Sequence, residues 1–174
     1  MLNLISAKLP HSYSCVMIKF PDDLSNRLKS WCKKRVPDED VFNEDSKGRE
    51  NQIHCTVKYG LHTTSLDDIT SVLDEFRAFD IELGKISRFT SPDDFDVLKI
   101  EVISNKLHQL HKRFNELPNS DEYDQYKPHT TLSYINKGSC YNLSGNDDFV
   151  GEKFKIRDII FSTPDGNKTI LQVD

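Results

Sequence analysis

The chain has 174 residues, of which 36% are hydrophobic and 29% charged. This is the composition of a soluble globular protein, and we expect a single domain over residues 1–174. The formal net charge of −5 argues against a protein that follows long RNA or DNA, because such proteins usually carry a basic surface. No apolar run is long enough to span a bilayer and no signal peptide is evident, so we expect a cytoplasmic protein with no membrane partner.

The first half of the chain alternates short apolar runs with helical patterns and one long loop. Residues 13–20 are apolar and predict a strand. Residues 21–35 predict a helix, because a proline and two acidic residues open it. Residues 36–51 are polar and predict a loop that leads into a second strand at residues 53–57. Ser65 predicts the N-cap of another amphipathic helix.

The second half is richer in predicted strands. Ser104 predicts the cap of a third helix, with apolar residues on one face. Residues 137–148 are rich in Gly, Ser and Asn and predict an irregular, mobile segment. The predicted strands of this half are residues 80–88, 95–103, 130–135, 149–162 and 168–173.

Each half of the chain carries one His-x-Thr motif on a predicted strand. The motifs are His54-Cys55-Thr56-Val57 and His129-Thr130-Thr131-Leu132. Residues i and i+2 of a strand point to the same face, so each histidine is expected to project with its threonine. Two imidazoles can serve as acid and base in one reaction, and two hydroxyls can donate to phosphate oxygens. We therefore expect a cleft where the two motif strands meet.

The same alternation and the need for base platforms add five weaker candidates for substrate binding. Lys58 and Ser133 each follow a motif threonine by two residues, so they are expected on the same face. Bases stack on aromatic rings, which makes Tyr13, Tyr126 and Tyr141 candidates, although packing is the more frequent use of each such ring.

The paired motifs resemble those of the two-histidine (2H) phosphoesterase superfamily, and the proline at Pro128, directly before the second motif, is typical of that family. The resemblance implies an α+β fold with two pseudo-symmetric lobes. Antiparallel sheets surround a central cleft in this fold, and the helices lie outside. The implied chemistry is metal-free acid–base cleavage of a phosphodiester by His54 and His129. Thr56 and Thr131 would hold the phosphate oxygens, and no cofactor is implied.

Within the superfamily, two short segments outside the motifs are most similar to the phage anti-CBASS nucleases, which cut cyclic di- and trinucleotide immune signals. These segments are Lys58-Tyr59-Gly60-Leu61 and Phe95-Asp96-Val97-Leu98. This likeness implies a small cyclic nucleotide as the partner and cleavage of its 3′-5′ linkages. Other branches open 2′,3′-cyclic phosphates or cut 2′-5′ oligoadenylates, and a non-catalytic nucleotide-binding module is a further alternative. The sequence predicts no oligomeric state.

The remaining histidines and the four cysteines give no metal signature. His62 begins a third His-x-Thr, but it falls in a predicted loop between a strand and a helix. His108 and His111 lie on one face of a predicted helix without the Glu of a His-Glu-x-x-His zinc motif. The cysteines lack Cys-x-x-Cys spacing and predict free thiols. We expect no metal site, and we expect Cys55 to point away from the cleft.

Overall fold

The computed structural model describes residues 12–121, 123 and 125–174. Over these residues the chain forms eight strands and three α-helices, with short 3₁₀ turns at Asp38–Asp40 and Tyr141–Leu143. The elements in chain order are β1 (Ser14–Lys19), α1 (Asp22–Arg35), β2 (His54–Leu61), α2 (Leu66–Leu73), β3 (Phe79–Thr90), β4 (Phe95–Ile103), α3 (Asn105–Phe114), β5 (His129–Asn136), β6 (Lys153–Ile156), β7 (Asp158–Ser162) and β8 (Lys168–Gln172).

The eight strands form one antiparallel sheet, curled into a half-barrel, in the order β6-β3-β4-β5-β2-β1-β7-β8. The two motif strands, β5 and β2, are neighbours at its centre. Three strands extend the sheet on either side of them, so the two halves have matching layouts. The predicted α+β class is confirmed, and the two expected lobes are halves of a single continuous sheet rather than separate sheets.

One face of the sheet is covered by the helices and is called the helix face here. Its strand residues form the core with the apolar sides of α1, α2 and α3, and include Ile18, Cys55 and Ile100, all without solvent exposure. The opposite face is called the cleft face. Residues on it alternate along each strand with the buried ones, as expected for a sheet that is packed on one side.

The helix boundaries follow from local chemistry. α1 begins after Pro21 with two acidic residues and ends in Lys33, Lys34 and Arg35, so both ends favour the helix dipole. The Ser104 hydroxyl accepts a hydrogen bond from the backbone N–H of Leu107 and caps α3 as predicted.

The predicted strand over residues 149–162 is wrong in its continuity. The chain breaks at Arg157 into β6, which pairs with β3 at one edge of the sheet, and β7, which pairs with β1 in the other half. The short strands are each consistent with the local apolar pattern. Only the tertiary pairing reveals that the chain crosses from one half of the sheet to the other between them.

Candidate active site

The two motif strands are in register at their centre. Cys55 of β2 is the direct antiparallel partner of Thr130 of β5, and both side chains are fully buried on the helix face. The residues on either side of each point to the cleft face, where His54, Thr56, His129 and Thr131 are all partly exposed. The antiparallel order puts each histidine level with the threonine of the other motif.

Both histidines form the same hydrogen bond, from Nδ1 to the backbone carbonyl two residues earlier. The Nδ1 atom of His54 lies 2.6 Å from the carbonyl oxygen of Gln52, and Nδ1 of His129 lies 2.7 Å from the carbonyl oxygen of Lys127. A carbonyl oxygen only accepts, so each Nδ1 carries a proton and donates it. In a neutral ring, Nε2 is then an acceptor suited to a base. In a charged ring, Nε2 is a donor suited to an acid.

The two histidines differ in their surroundings. Burial lowers the pKa of His129, and the positive charges of Lys99 and His54 lower it further, while the hydrogen bond to the Lys127 carbonyl opposes this without reversing it. The ring of Phe89 contacts His129 edge-on, with 4.9 Å between the ring centroids. His129 is therefore favoured in its neutral form near neutral pH.

Each motif is followed at once by a β-bulge. Between β1 and β2, Met17 pairs with Thr56 and Val16 pairs with Lys58, which leaves Val57 as the extra residue. Between β4 and β5, Lys99 pairs with Thr131 and Leu98 with Ser133, which leaves Leu132 as the extra residue. An extra residue shifts the alternation by one position. Both strands therefore reverse their faces directly after the motif threonine.

The prediction that Lys58 faces the cleft is wrong, because the first bulge turns it to the opposite face. Its side chain lies on the helix face and is 1% exposed. The ammonium donates to Asn115 Oδ1 at 2.6 Å and to Asp121 Oδ2 at 2.7 Å, so its charge is balanced inside the fold. The pKa of Asp121 is lowered even though burial opposes this, mainly by the hydrogen bond from Lys58. Lys58 thus ties β2 to α3 and to the loop before β5.

The second bulge makes the prediction for Ser133 wrong in the same way. Ser133 is fully buried and pairs with Leu98 on the helix face. Its hydroxyl donates to the backbone carbonyls of Tyr134, at 3.0 Å, and Gly48, at 3.4 Å. The residue that reaches the cleft face after Thr131 is Tyr134, which pairs with the partly exposed Val97.

Two of the three candidate tyrosines have packing partners. The Tyr126 ring stacks on His111 of α3, with centroids 4.1 Å apart and planes within 2°, and its hydroxyl donates to the Thr56 carbonyl at 2.9 Å. This places Tyr126 behind the motif strand rather than in the cleft. Tyr13 is partly exposed, stacks on His62 with ring centroids 5.4 Å apart and contacts Tyr59 edge-on. A substrate contact for Tyr13 stays a prediction.

The segment over residues 137–148, with Tyr141, is fastened to the side of the sheet away from the histidines. The Gly138 N–H donates to the buried carboxylate of Asp96, and Asp148 accepts a bond of 2.7 Å from the Trp31 indole. Both partners belong to the helix face or to α1. Tyr141 itself is 74% exposed. In this position the segment does not cover the cleft, and a substrate contact for Tyr141 stays a prediction.

The sheet brings three residues to the site that the sequence did not single out: Lys99, Phe89 and Cys15. The Cys15 thiol is adjacent to the Thr56 hydroxyl, and burial raises its pKa to about 12, so it is a poor nucleophile. Cys55, as expected, faces away from the cleft, and burial raises its pKa to about 12 as well. Lys99 lies on a predicted strand, and Phe89 directly follows the predicted strand 80–88 and belongs to β3 in the structure. The closeness of both residues to His129 depends on strand order, which no local pattern reveals.

Among residues 12–121, 123 and 125–174 there is no cluster of three or more His, Cys, Asp or Glu side chains that could hold a metal ion. The helices in the same ranges are too short or too polar to cross a membrane. The cleft face carries the two motif histidines and the two motif threonines. Lys99 and Glu101 are the strand partners of Thr131 and His129, and Lys19 is the partner of His54.

A model of the family described as anti-CBASS protein Acb1 matches residues 14–154, which include both His-x-Thr motifs. The chain belongs to this family. In this Acb1 family member the matched region starts at β1 and extends into β6, so it contains both motif strands and both bulges. No curated protein sequence matches the chain.

Solved structures with a similar fold share little sequence with this Acb1 family member. TT0787 of Thermus thermophilus has a TM-score of 0.60 and 13% identity, over 92% of this chain and 95% of that one. E. coli LigT complexed with 3′-AMP has a TM-score of 0.60 and 14% identity, over 95% and 96%. Kluyveromyces marxianus Usb1 with uridine monophosphate has a TM-score of 0.61 and 8% identity, over 92% and 97%. The predicted 2H phosphoesterase-like fold is confirmed.

Proposed function

We propose that this protein is a metal-independent phosphodiesterase that cuts 3′-5′ linkages in small cyclic oligonucleotides. The observation that carries the proposal is the matched pair of histidines on neighbouring central strands. In both, Nδ1 is bound to a carbonyl two residues earlier, so Nε2 is the atom available to a ligand. Two imidazoles presented in this way suit the transfer of one proton to, and one proton from, a single phosphodiester.

His129 acts as the base and His54 as the acid. Burial and neighbouring charge favour the neutral form of His129, whose Nε2 takes the proton of a ribose 2′-hydroxyl. The 2′-oxygen attacks the adjacent phosphorus, and the bond from phosphorus to the 5′-oxygen breaks. The departing oxygen receives a proton from Nε2 of charged His54. The products of the first cut are a 2′,3′-cyclic phosphate and a free 5′-hydroxyl.

The two threonines hold the non-bridging phosphate oxygens. Thr56 and Thr131 lie on the cleft face, each in the same row as the histidine of the other motif. Hydroxyl donors placed on both sides of the phosphate favour the transition state, in which negative charge on the oxygens increases. Their place on central strands keeps them fixed without a ligand.

The choice of a small cyclic substrate rests on family and charge. The chain belongs to the anti-CBASS protein Acb1 family, and its net charge of −5 gives no general attraction to long nucleic acids. LigT and Usb1, which share the fold, are complexed with the mononucleotides 3′-AMP and uridine monophosphate, which supports a nucleotide on this face. A ring that contains its own 2′-hydroxyl also brings the nucleophile beside the phosphorus.

The test is a substrate screen in the presence of EDTA, with products identified by mass. The panel contains cyclic dinucleotides, cyclic trinucleotides, 2′-5′ oligoadenylate and RNA ends with a 2′,3′-cyclic phosphate. We expect a cyclic di- or trinucleotide to be opened to a linear product with a 2′,3′-cyclic phosphate, and its 2′-deoxy analogue at the attacking ribose to bind without cleavage.

Two other outcomes would replace the proposal. Turnover limited to RNA ends would favour a 2′,3′-cyclic phosphodiesterase that uses the same residues. Tight binding of a cyclic nucleotide without any turnover would favour a non-catalytic binding module. Loss of activity with EDTA, restored by zinc or manganese, would contradict the metal-independent mechanism.

A further inference from the structure

Lys99 lies on the cleft face beside the second motif. It is the β4 partner of Thr131, and two positions along the same strand Glu101 is the partner of His129. Cross-strand partners share a face, so the Lys99 side chain starts next to the Thr131 hydroxyl. In the other half of the sheet the matching position, the β1 partner of Thr56, is Met17. The β1 partner of His54 is Lys19, which forms an ion pair with Asp22. The Thr131 side of the cleft therefore has a lysine beside its threonine, and the Thr56 side does not.

Lys99 is a buried residue whose ammonium has no carboxylate bound to it. The residue is 7% exposed, and its Nζ donates to the Ser87 hydroxyl at 2.7 Å and lies 4.3 Å from the centroid of the Phe89 ring. Within the described residues no acidic oxygen lies within ion-pair distance of Nζ; the nearby charges are Glu101, on the same strand, and Lys127, before β5. Burial and Lys127 lower the pKa of Lys99, and Glu101 only partly offsets this effect.

The other buried lysine of the sheet, Lys58, does have an acidic partner. Lys58 lies on the helix face with its charge balanced by Asp121 and its donors shared with Asn115. An ammonium has three donors, and a buried cation is costly unless it is paired. Lys99 keeps donor capacity beyond Ser87, and a hydroxyl and an aromatic ring hold it in place. An anion on the cleft face would supply the missing partner.

We propose that Lys99 binds the substrate phosphate: its ammonium contacts a non-bridging oxygen of the scissile phosphate, on the same side as Thr131. The proposal rests on the proposed function for the identity of the phosphate. Ser87 and Phe89 position the ammonium, which reduces the ordering cost of binding. The positive charge also stabilises the phosphate oxygens as they become more negative in the transition state.

The test compares Lys99→Met with Lys99→Arg and with Lys155→Met. Met matches the length and apolar character of the lysine stem but lacks the charge, and Arg keeps the charge. Lys155 is a matched control because it forms a surface ion pair with Asp80 at the edge of the sheet. We expect Lys99→Met to lower kcat/KM on the order of 10²-fold, as loss of an oxyanion donor does. Lys99→Arg should retain most of the activity, and Lys155→Met should match the wild type.

Two further readouts separate substrate binding from a structural role. Lys99→Met should raise the Tm of the ligand-free protein, because it removes a buried charge without an acidic partner. The acid limb of the pH profile should move to higher pH in the same variant, because the charge of Lys99 lowers the pKa of His129. A lower Tm, a variant that fails to fold, or activity equal to the wild type would each overturn the proposal.

A phosphate titration distinguishes failure of this proposal from failure of the proposed function. Inorganic phosphate is added to the ligand-free protein, and the histidine side-chain signals are followed by NMR. We expect Lys99→Met to need about tenfold more phosphate than the wild type or Lys155→Met, in line with the loss of one charge-assisted bond. If no nucleotide in the panel is cut but this difference appears, the Lys99 site stands and the proposed function fails. If nucleotides are cut and the three proteins titrate alike, only the Lys99 site fails.

Discussion

Cys55 and Thr130 are opposite each other at the middle of the eight-stranded sheet, one in the centre of each His-x-Thr motif. This single pair relates the two halves of the site. Because the strands are antiparallel, one step along either strand reaches the histidine of one motif and the threonine of the other. The arrangement puts two acid–base groups and two hydroxyl donors on one face. The buried partner Thr130 also provides a matched control for substitutions of Thr131 on the cleft face.

Thr130 and Thr131 allow a direct comparison of two neighbouring hydroxyls. Thr131→Val deletes a donor on the cleft face and should lower kcat or kcat/KM on the order of 10²-fold with little change in stability. Thr130→Val deletes the buried hydroxyl that donates to the His54 carbonyl at 2.6 Å, and should cost about 1 kcal/mol of unfolding free energy. Thr56→Val should resemble Thr131→Val. Kinetics per folded molecule and urea denaturation measure the two effects, and equal activity losses in Thr130→Val and Thr131→Val would contradict the division of roles.

Lys58→Met tests the consequence of the first bulge. The variant leaves Asp121 without its ammonium partner, and we expect it to destabilise the fold on the order of 3 kcal/mol, as expected when one member of a buried ion pair is removed. Activity per folded molecule should stay close to that of the wild type at a temperature where the variant is folded. A stable protein with a large loss of kcat would place Lys58 at the substrate instead.

The motif residues, Lys58 and Ser133 show which parts of the fold and the site can be predicted from the sequence. The two motifs lie on strands whose local pattern is clear, so their elements and the face of each histidine follow from alternation within five residues. Lys58 and Ser133 fail because a bulge depends on the neighbouring strand, and neither Val57 nor Leu132 looks unusual in its own strand.

Strand order is the other information that the local sequence lacks. Lys99 lies inside a correctly predicted strand, residues 95–103, yet its place beside Thr131 requires β4 to pair with β5. The split of residues 149–162 between the two halves of the sheet, and the fastening of residues 137–148 on the helix face, have the same origin. Each depends on contacts between distant parts of the chain.

His111 should make the stability of the fold depend on pH. Its Nδ1 lies 2.7 Å from the Val57 carbonyl oxygen, and burial lowers its pKa below the ordinary value of 6.5. The unfolded chain takes up a proton near pH 6.5 while the folded chain resists it, so stability is lost as the pH falls from about 6.5 toward the lowered pKa. His111→Gln should reduce the drop in Tm between pH 7.5 and pH 5.5. His62→Gln, an exposed histidine outside α3, is the control, and an unchanged drop in His111→Gln would exclude this origin.

The pH profile of activity should be bell-shaped. His129 must be neutral to act as the base and His54 charged to act as the acid, so activity falls on both sides of an optimum. The acid limb should lie below pH 6.5, because burial and neighbouring charge lower the pKa of His129. Steady-state rates of cyclic nucleotide cleavage between pH 4.5 and pH 9 measure the profile. A rate that rises steadily with pH would contradict a requirement for a charged histidine.

The central claim is that His54 and His129 work as one acid–base pair. It is tested most directly by single-turnover cleavage of a cyclic dinucleotide by the wild type, His54→Ala, His129→Ala and the double variant, with folding checked by circular dichroism. Groups that act as a unit are not additive, so each single variant should lose at least about 10³-fold in rate and the double variant should be little slower than either. A single variant that cuts at close to the wild-type rate, or a double variant whose loss is the product of the two single losses, would contradict the pair.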